Sequence, residues 1–434
     1  MGLHAKNNKA DEAPRGDPSK AQRHGGRVAI GEEYTAAQHA HGRGPTGLLS
    51  MAQEEESLVE ARLAALCGRL HEWLVGAAYP LWSRQGVDPR NGGFVETLGQ
   101  DGTPLRDPRR ARVQPRQLTA FAKAPMLGWR GDVTGIVRRG VDYLVAHYRR
   151  EDGLYRTLAG IDGHPLDERA LLYDQAFVLL GFAAAAVALD ARAEFEHRAL
   201  DLRDQIEKQW RGATGGFRSG EVDVDRRESN PHMHLLEACL AWAQIGNDPG
   251  WAAWTDDIAD LAVARFISPA SGALGESFTP SWDAAPGTAG RIIEPGHQFE
   301  WAWLLLQCQR RNWPARRAHA LRLIAVGEDA GVRGAVAINA LLDDFSVHDP
   351  NARLWPQTER LKGALLAASI TGDSRYSTYA AEAAASLFLY LDTLIAGLWL
   401  DLRLANGALV DSPAPASSFY HIVGGIAALG ASLR

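Results

Sequence analysis

A glycine-containing turn recurs along this chain at a nearly constant interval. It appears as Asn91-Gly-Gly-Phe94, Asp152-Gly-Leu-Tyr155, Thr214-Gly-Gly-Phe217 and Ser271-Gly-Ala-Leu274, with a related Asn406-Gly-Ala-Leu409 late in the chain. The first four units are 61, 62 and 57 residues apart, and the gap of 135 residues from 271 to 406 holds two units with one degenerate turn, expected near 343–349. A period of about 60 residues accommodates two α-helices and their loops. The segments between the turns carry apolar residues at helical spacing, in the 137–148, 176–188, 235–245 and 258–266 regions, and Val/Ile/Thr alternation is scarce. Repeated helix pairs build either an open solenoid or a closed ring. About six units fill residues 57–434, and the chain shows no polar capping repeat. The expected fold is therefore all-α: an (α/α)6 barrel of six helical hairpins in a closed toroid, with the glycine turns as short β-hairpins at the loop end.

Residues 1–50 differ from the rest, being rich in Gly, His, Lys, Arg and Asp and poor in large apolar side chains. Such a segment does not bury enough apolar surface to offset its ordering entropy. It is expected to be a disordered extension, with residues 51–434 as a single catalytic domain. Met51, just ahead of the first helical pattern, reads as an alternative start.

The formal net charge of -6 and the lack of a basic stripe argue against nucleic-acid binding. No apolar run is long enough to span a bilayer, and residues 1–50 lack the apolar core of a signal peptide. The three cysteines, Cys67, Cys239 and Cys308, are widely spaced and odd in number, so a reducing cytoplasm is expected rather than a disulfide framework. Dinucleotide, P-loop and nucleophile-elbow motifs are missing from the sequence.

Polar-aromatic clusters stand at the start of six helical patterns. They are Arg112-Val-Gln-Pro-Arg116-Gln117, Tyr173-Asp174, Asn230-Pro-His232-Met-His234-Leu-Leu-Glu237, Glu294-Pro-Gly-His297-Gln-Phe-Glu300-Trp, Leu354-Trp355-Pro-Gln-Thr-Glu359-Arg-Leu-Lys362 and Pro413-Ala-Pro-Ala-Ser-Ser-Phe-Tyr420-His421. In a ring, the N-termini of the inner helices converge on one mouth. Aromatic faces and hydroxyl-binding side chains there suit a neutral, hydroxyl-rich ligand. Simpler readings accompany each cluster. Asn230 and Pro231 also form an N-cap and N1 pair. Asp174 serves equally as a buried structural carboxylate, and Arg109-Arg110-Ala-Arg112 as a solvated face or loop. His232 and His234, two apart on a helix, point in different directions, so no metal centre is expected from them.

Four of these motifs in order, Asn230-Pro-His-Met-His234-Leu-Leu-Glu237, Pro295-Gly-His297-Gln-Phe-Glu300-Trp, Leu354-Trp-Pro-Gln-Thr-Glu359 and Tyr420-His421, resemble the N-acylglucosamine 2-epimerase superfamily over roughly residues 57–434. The segment Pro415-Ala-Ser-Ser-Phe-Tyr-His421 is more similar to its mannose-isomerase branch. The resemblance implies the (α/α)6 fold and a sugar isomerase that interconverts an aldose and a ketose through a cis-enediolate. A 2-epimerase is the alternative, and an (α/α)6 glycoside hydrolase or a non-enzymatic binding protein the alternative of another class. It further implies His421 as the base at sugar C2 and His297 as its counterpart. Glu300 would orient His297 or share its proton, and Arg116 would stabilise the enediolate. Asn230, His234, Trp355, Glu359 and Asp174 are the implied substrate contacts. Neither a metal nor a cofactor is implied. The expected ligand is a monosaccharide or small oligosaccharide, bound by a monomer or homodimer. The sequence shows no clear phosphate-binding loop, although Arg109, Arg110, Arg353 and Lys362 could serve a sugar phosphate.

Overall fold

In a computed structural model, residues 45–221, 225–309 and 311–434 are described. The segment expected to be disordered lies outside these residues over 1–44, and its last stretch, 45–50, is helical. Residues 54–434 form one compact unit. The helices, in chain order, are α1 (Pro45–Trp73), α2 (Tyr79–Gln85), α3 (Val113–Ala122), α4 (Val133–Tyr148), α5 (Leu172–Ala188), α6 (Arg192–Trp210), α7 (Ser229–Ile245), α8 (Gly250–Leu261), α9 (Pro295–Gln307), α10 (Trp313–Val326), α11 (Trp355–Thr371), α12 (Ser374–Leu391) and α13 (Ala416–Ser432).

The odd-numbered helices from α3 to α13 pack side by side, and α13 returns to α3, which closes the ring. Each of α3 to α11 also packs on the even-numbered helix that follows it, so the inner ring is wrapped by an outer one. The inner helices are apolar on almost every side. In α5, for example, Ala176, Phe177, Val178, Leu179 and Phe182 are all buried. That pattern belongs to a helix covered by core rather than one with a wet face. The seam joins the ends of the chain through aromatic stacking: Trp82 of α2 lies 4.8 Å from Trp399, which stacks at 5.9 Å on Phe419 of α13. The Trp82 indole N–H donates to Gly397 O at 3.1 Å. Among the described residues no helix is long and apolar enough to cross a membrane.

The glycine turns follow the outer helices, and the structure corrects two of them. The fifth turn is at Gly334, not within 343–349, and the sixth is at Gly397, not Asn406-Gly-Ala-Leu409. Residues 343–349 and 406–409 belong to other hairpins at the rim. The six turn glycines, Gly92, Gly153, Gly215, Gly272, Gly334 and Gly397, have φ of +79°, +86°, +85°, +75°, +53° and +99°. Side chains seldom adopt that region, which is why glycine recurs there. At Gly397 a Cβ would also sit 2.9 Å from the backbone of Ala77.

The inner helices grip these turns. The Gln114 amide exchanges two hydrogen bonds with the Phe94 backbone (2.8 and 3.0 Å), and Gln175 with Tyr155, Gln298 with Leu274 and Gln357 with Ala337 do the same. His232 takes this place in α7. Its Nε2 accepts from Phe217 N at 3.0 Å, and Nδ1 lies 2.8 Å from Glu228 O. Short antiparallel pairs then stitch the mouth: Arg109–Arg110 to Arg156–Ala159, Arg227–Glu228 to Ser277–Phe278, Ala352–Arg353 to Leu402–Arg403, and Thr97–Leu98 to Ala414–Pro415. The inner-helix N-termini are thereby fixed around one opening.

Candidate active site

At that opening lies a cavity of about 240 Å³ lined by Arg116, Asn230, His234, His297, Glu300, Trp355 and His421, together with residues of the rim. Each lining residue named lies in the first turns of an inner helix. Trp355 stands between the two histidines, its ring centroid 5.1 Å from His297 and 5.5 Å from His421. Gly296 makes room for it, since a Cβ there would lie 2.5 Å from the indole.

The two histidines are held in opposite charge states. His421 has Nδ1 2.8 Å from Glu359 Oε1. Burial drives its pKa down to about 4 against the pull of Glu359. Glu359 is fully buried, yet it is held below the ordinary carboxylate range despite that burial, by the Lys362 ammonium at 2.6 Å and the hydrogen bond from His421. With Nδ1 donating to this carboxylate, Nε2 is the bare, basic nitrogen of a neutral ring.

His297 has Nδ1 2.9 Å from Glu276 Oε2 and 3.8 Å from Glu294 Oε2. Burial alone would lower its pKa, but the Glu276 and Glu294 charges outweigh it and raise it to about 10. His297 is therefore an imidazolium at neutral pH.

Glu300 does not contact His297. Its Oε1 lies 3.8 Å from His234 Nδ1 and has no hydrogen-bond partner among the described residues. The direction of the α9 turn places Glu300 toward the floor, where burial and the nearby Glu359 and Glu237 push its pKa well above the usual range. The orienting carboxylate that sequence reasoning gave to Glu300 is Glu276.

Glu276 had a signal in the sequence. A polar residue follows each turn glycine, four residues on at Glu96, Thr157, Ser219, Glu276 and Asp401 and five residues on at Asn339. Five of these hold a residue at the head of an inner helix. Glu96 binds Arg110, Thr157 receives a long contact of 3.5 Å from Arg112, Glu276 binds His297, Asn339 accepts from Arg353 N at 3.0 Å, and Asp401 accepts from Ser418 Oγ at 2.6 Å.

Arg116 lies over the Phe177 ring at 4.2 Å and donates from Nη2 to Tyr173 Oη at 2.6 Å. Its Nε is buried with no acceptor among the described residues, as is Asn230 Oδ1 with no donor. Asn230 is not a cap. The N-cap position of α7 is Glu228, so Asn230 sits inside the first turn. Two other expected contacts lie behind the wall rather than in it. Asp174 is fully buried and accepts from Arg112 Nε at 2.8 Å, while Glu359 supports His421. Of the Arg109-Arg110-Ala-Arg112 run, Arg109 is buried on Asp88 at 2.7 Å, whereas Arg110 is partly exposed.

Below the cavity, Tyr420 Oη donates to Glu237, and burial lowers the His234 pKa to about 3. Two sets of groups, His234 with Glu237 and Glu300, and Glu300 with Glu359 and His421, each bring ligand atoms within 4.8 Å and are the places where a cation would find donors. Glu359 and Glu237 already take up Lys362 and the Tyr420 hydroxyl there.

Comparison with known proteins agrees with this geometry. The family model for N-acylglucosamine 2-epimerase matches residues 92–425. A mannose-6-phosphate isomerase of Rhizobium meliloti is 46% identical over 365 residues, which cover 82% of this chain and 94% of that relative. A D-mannose isomerase of Thermobifida fusca is 30% identical over 52% of this chain and 60% of its own length. The crystal structure of a D-mannose isomerase superposes with a TM-score of 0.76 at 22% identity, covering 85% of this chain and 97% of the other. The chain belongs to the N-acylglucosamine 2-epimerase family.

Proposed function

We propose that this protein is an aldose–ketose isomerase acting on mannose or a close derivative. The observation that carries this reading is the unlike pair of histidines across Trp355: one neutral and basic, one cationic. The names of the relatives in Rhizobium meliloti and Thermobifida fusca support the same substrate class.

With the sugar in its open form, His421 Nε2 removes the proton from C2. The electron pair moves into a C1–C2 double bond and negative charge collects on O1. Arg116, whose buried Nε lacks an acceptor, and the His297 cation face that charge. A proton passes from O2 to O1, and His421, whose captured Nε2 proton exchanges with solvent while the enediolate is bound, protonates C1, which yields the ketose. One base suffices for this sequence. An epimerase needs a second proton carrier on the opposite face of C2, and a histidine that keeps its proton to about pH 10 serves poorly as one.

Asn230 Oδ1, the His234 ring and the Trp355 face are assigned to the sugar hydroxyls and C–H groups. Glu300, held neutral, is a hydrogen-bond donor to the same ligand. Glu359, Glu276 and Asp174 are positioning residues for His421, His297 and Arg112. No step calls for a metal, so EDTA-treated protein should keep its activity. The three unpaired cysteines fit a reducing compartment such as the cytoplasm.

The test is product analysis. Incubation with mannose and with mannose 6-phosphate should give the corresponding ketose. Formation of the C2 epimer without ketose would replace the isomerase reading by the epimerase one.

A further inference from the structure

We infer that the ring carries a second ligand site at its other end, a pocket that takes a medium-chain aliphatic carboxylate with its head group on Lys123. The inference does not depend on the isomerase reading.

The candidate active site lies at the N-terminal ends of the inner helices. The C-terminal halves of four consecutive inner helices, α3, α5, α7 and α9, leave a separate pocket of about 370 Å³ between them. It is larger than the 240 Å³ cavity and shares no lining residue with it. The partition is one layer of side chains: His234 lines the cavity, Glu237 lines the pocket, and the two meet at 3.4 Å. Lys362, over the Trp303 ring at 3.7 Å, belongs to the same layer, and Trp303 lines the pocket beneath it.

The wall is largely hydrocarbon, with Leu180, Leu240, Ile245 and Leu304 among its residues. At its lip, Met126 and Val187 are 73% and 62% exposed, so the pocket opens to solvent there. A concave, mostly apolar pocket of this size with a few polar groups is the usual form of a small-molecule site. An aliphatic chain laid in it would cover the two exposed lip residues as well.

Two lining residues carry charge, Glu237 and Lys123. Glu237 is already engaged by the Tyr420 hydroxyl and His234. Lys123 follows the last residue of α3, and among the described residues its ammonium neither donates a hydrogen bond nor pairs with a carboxylate. Its charge is felt by Glu237, Lys362 and Glu359, so the side chain points toward the ring axis. Burial lowers its pKa, as expected of an ammonium whose lost water is not fully replaced. An anion at Lys123 supplies that counter-charge. A lysine is a point charge, and no arginine fork lines the pocket, so one carboxylate suits it better than a phosphate. The helix C-termini around the pocket carry partial negative charge, which confines an anion to the place where Lys123 stands.

The test is calorimetric titration of the full chain with octanoate, and with 1-octanol as a neutral probe of equal length. Octanoate is expected to bind at one site per chain, roughly tenfold or more tighter than octanol. Lys123→Met, which keeps the stem and removes the charge, should abolish that preference. Ala184→Trp or Ala241→Trp, each on a partly exposed lining residue, should fill the pocket and abolish binding of both probes. Saturating mannose should leave octanoate binding unchanged. No saturable binding of octanoate, or binding that survives both tryptophan variants, would overturn the site. Equal affinity for the two probes, or a preference that survives Lys123→Met, would overturn the carboxylate assignment. Displacement of octanoate by mannose would place it in the other cavity and overturn the inference.

Discussion

His421 and Glu359 are 62 residues apart in the chain and 2.8 Å apart at Nδ1 and Oε1. This contact fixes which ring nitrogen of His421 is left to act as a base. Replacing Glu359 by Gln keeps the shape but removes the charge and allows the other tautomer. The expected loss in kcat is of the order of 10²-fold or more, by analogy with general-base contributions. His421→Ala should remove turnover altogether. Steady-state kinetics on folded variants checks both, and a Glu359→Gln protein with unchanged kcat would remove Glu359 from its positioning role.

The charge states of the histidines set the pH dependence. His421 must be neutral, and its pKa is lowered to about 4, so activity should fall only as the pH drops toward that value. His297 must be charged, and its pKa is raised to about 10, so the alkaline limb should lie near there. The kcat/KM profile is thus expected to be flat across neutrality. Glu276→Gln removes the main source of the raised His297 pKa and should move the alkaline limb toward neutral pH while leaving the acid limb in place.

In the proposed reaction Arg116, whose Nε is buried without an acceptor among the described residues, meets the developing charge. Arg116→Ala should lower kcat/KM by about 10²- to 10³-fold, the usual scale for losing an oxyanion-stabilising group. If the fall were confined to KM, Arg116 would bind substrate and transition state alike.

The glutamine clamps bear on folding rather than catalysis. Gln357 is fully buried, and its amide makes both hydrogen bonds to Ala337 at 2.8 and 2.9 Å. Gln357→Ala leaves that turn unsatisfied and should cost about 2–4 kcal/mol. Urea unfolding monitored by tryptophan fluorescence measures it.

The ring was legible in the sequence because every turn needs a glycine at positive φ, and at four of the six turns the residues around that glycine repeat recognisably. The fifth was missed because Ala335, at φ +72°, shares the left-handed bend of Gly334 and blurs the motif. The sixth was missed because a better match, Asn406-Gly-Ala-Leu409, sits in a neighbouring hairpin. Helix starts gave the lining residues, since one helix turn fixes which side chains face inward. Partners across the ring were not legible. Glu300 is three residues from His297 and was the local choice, whereas Glu276 reaches it from the preceding turn, 21 residues earlier. The charge states of the histidines depend on such contacts and on burial, so they too required the fold.

In the proposed reaction one base, His421, serves both C2 and C1. Mannose incubated with the protein in deuterated water, followed by NMR, tests it most directly. The predicted result is fructose carrying deuterium at C1, with the label absent when His421→Ala is used. Glucose labelled at C2 with no ketose, or no exchange from mannose or mannose 6-phosphate, would contradict it.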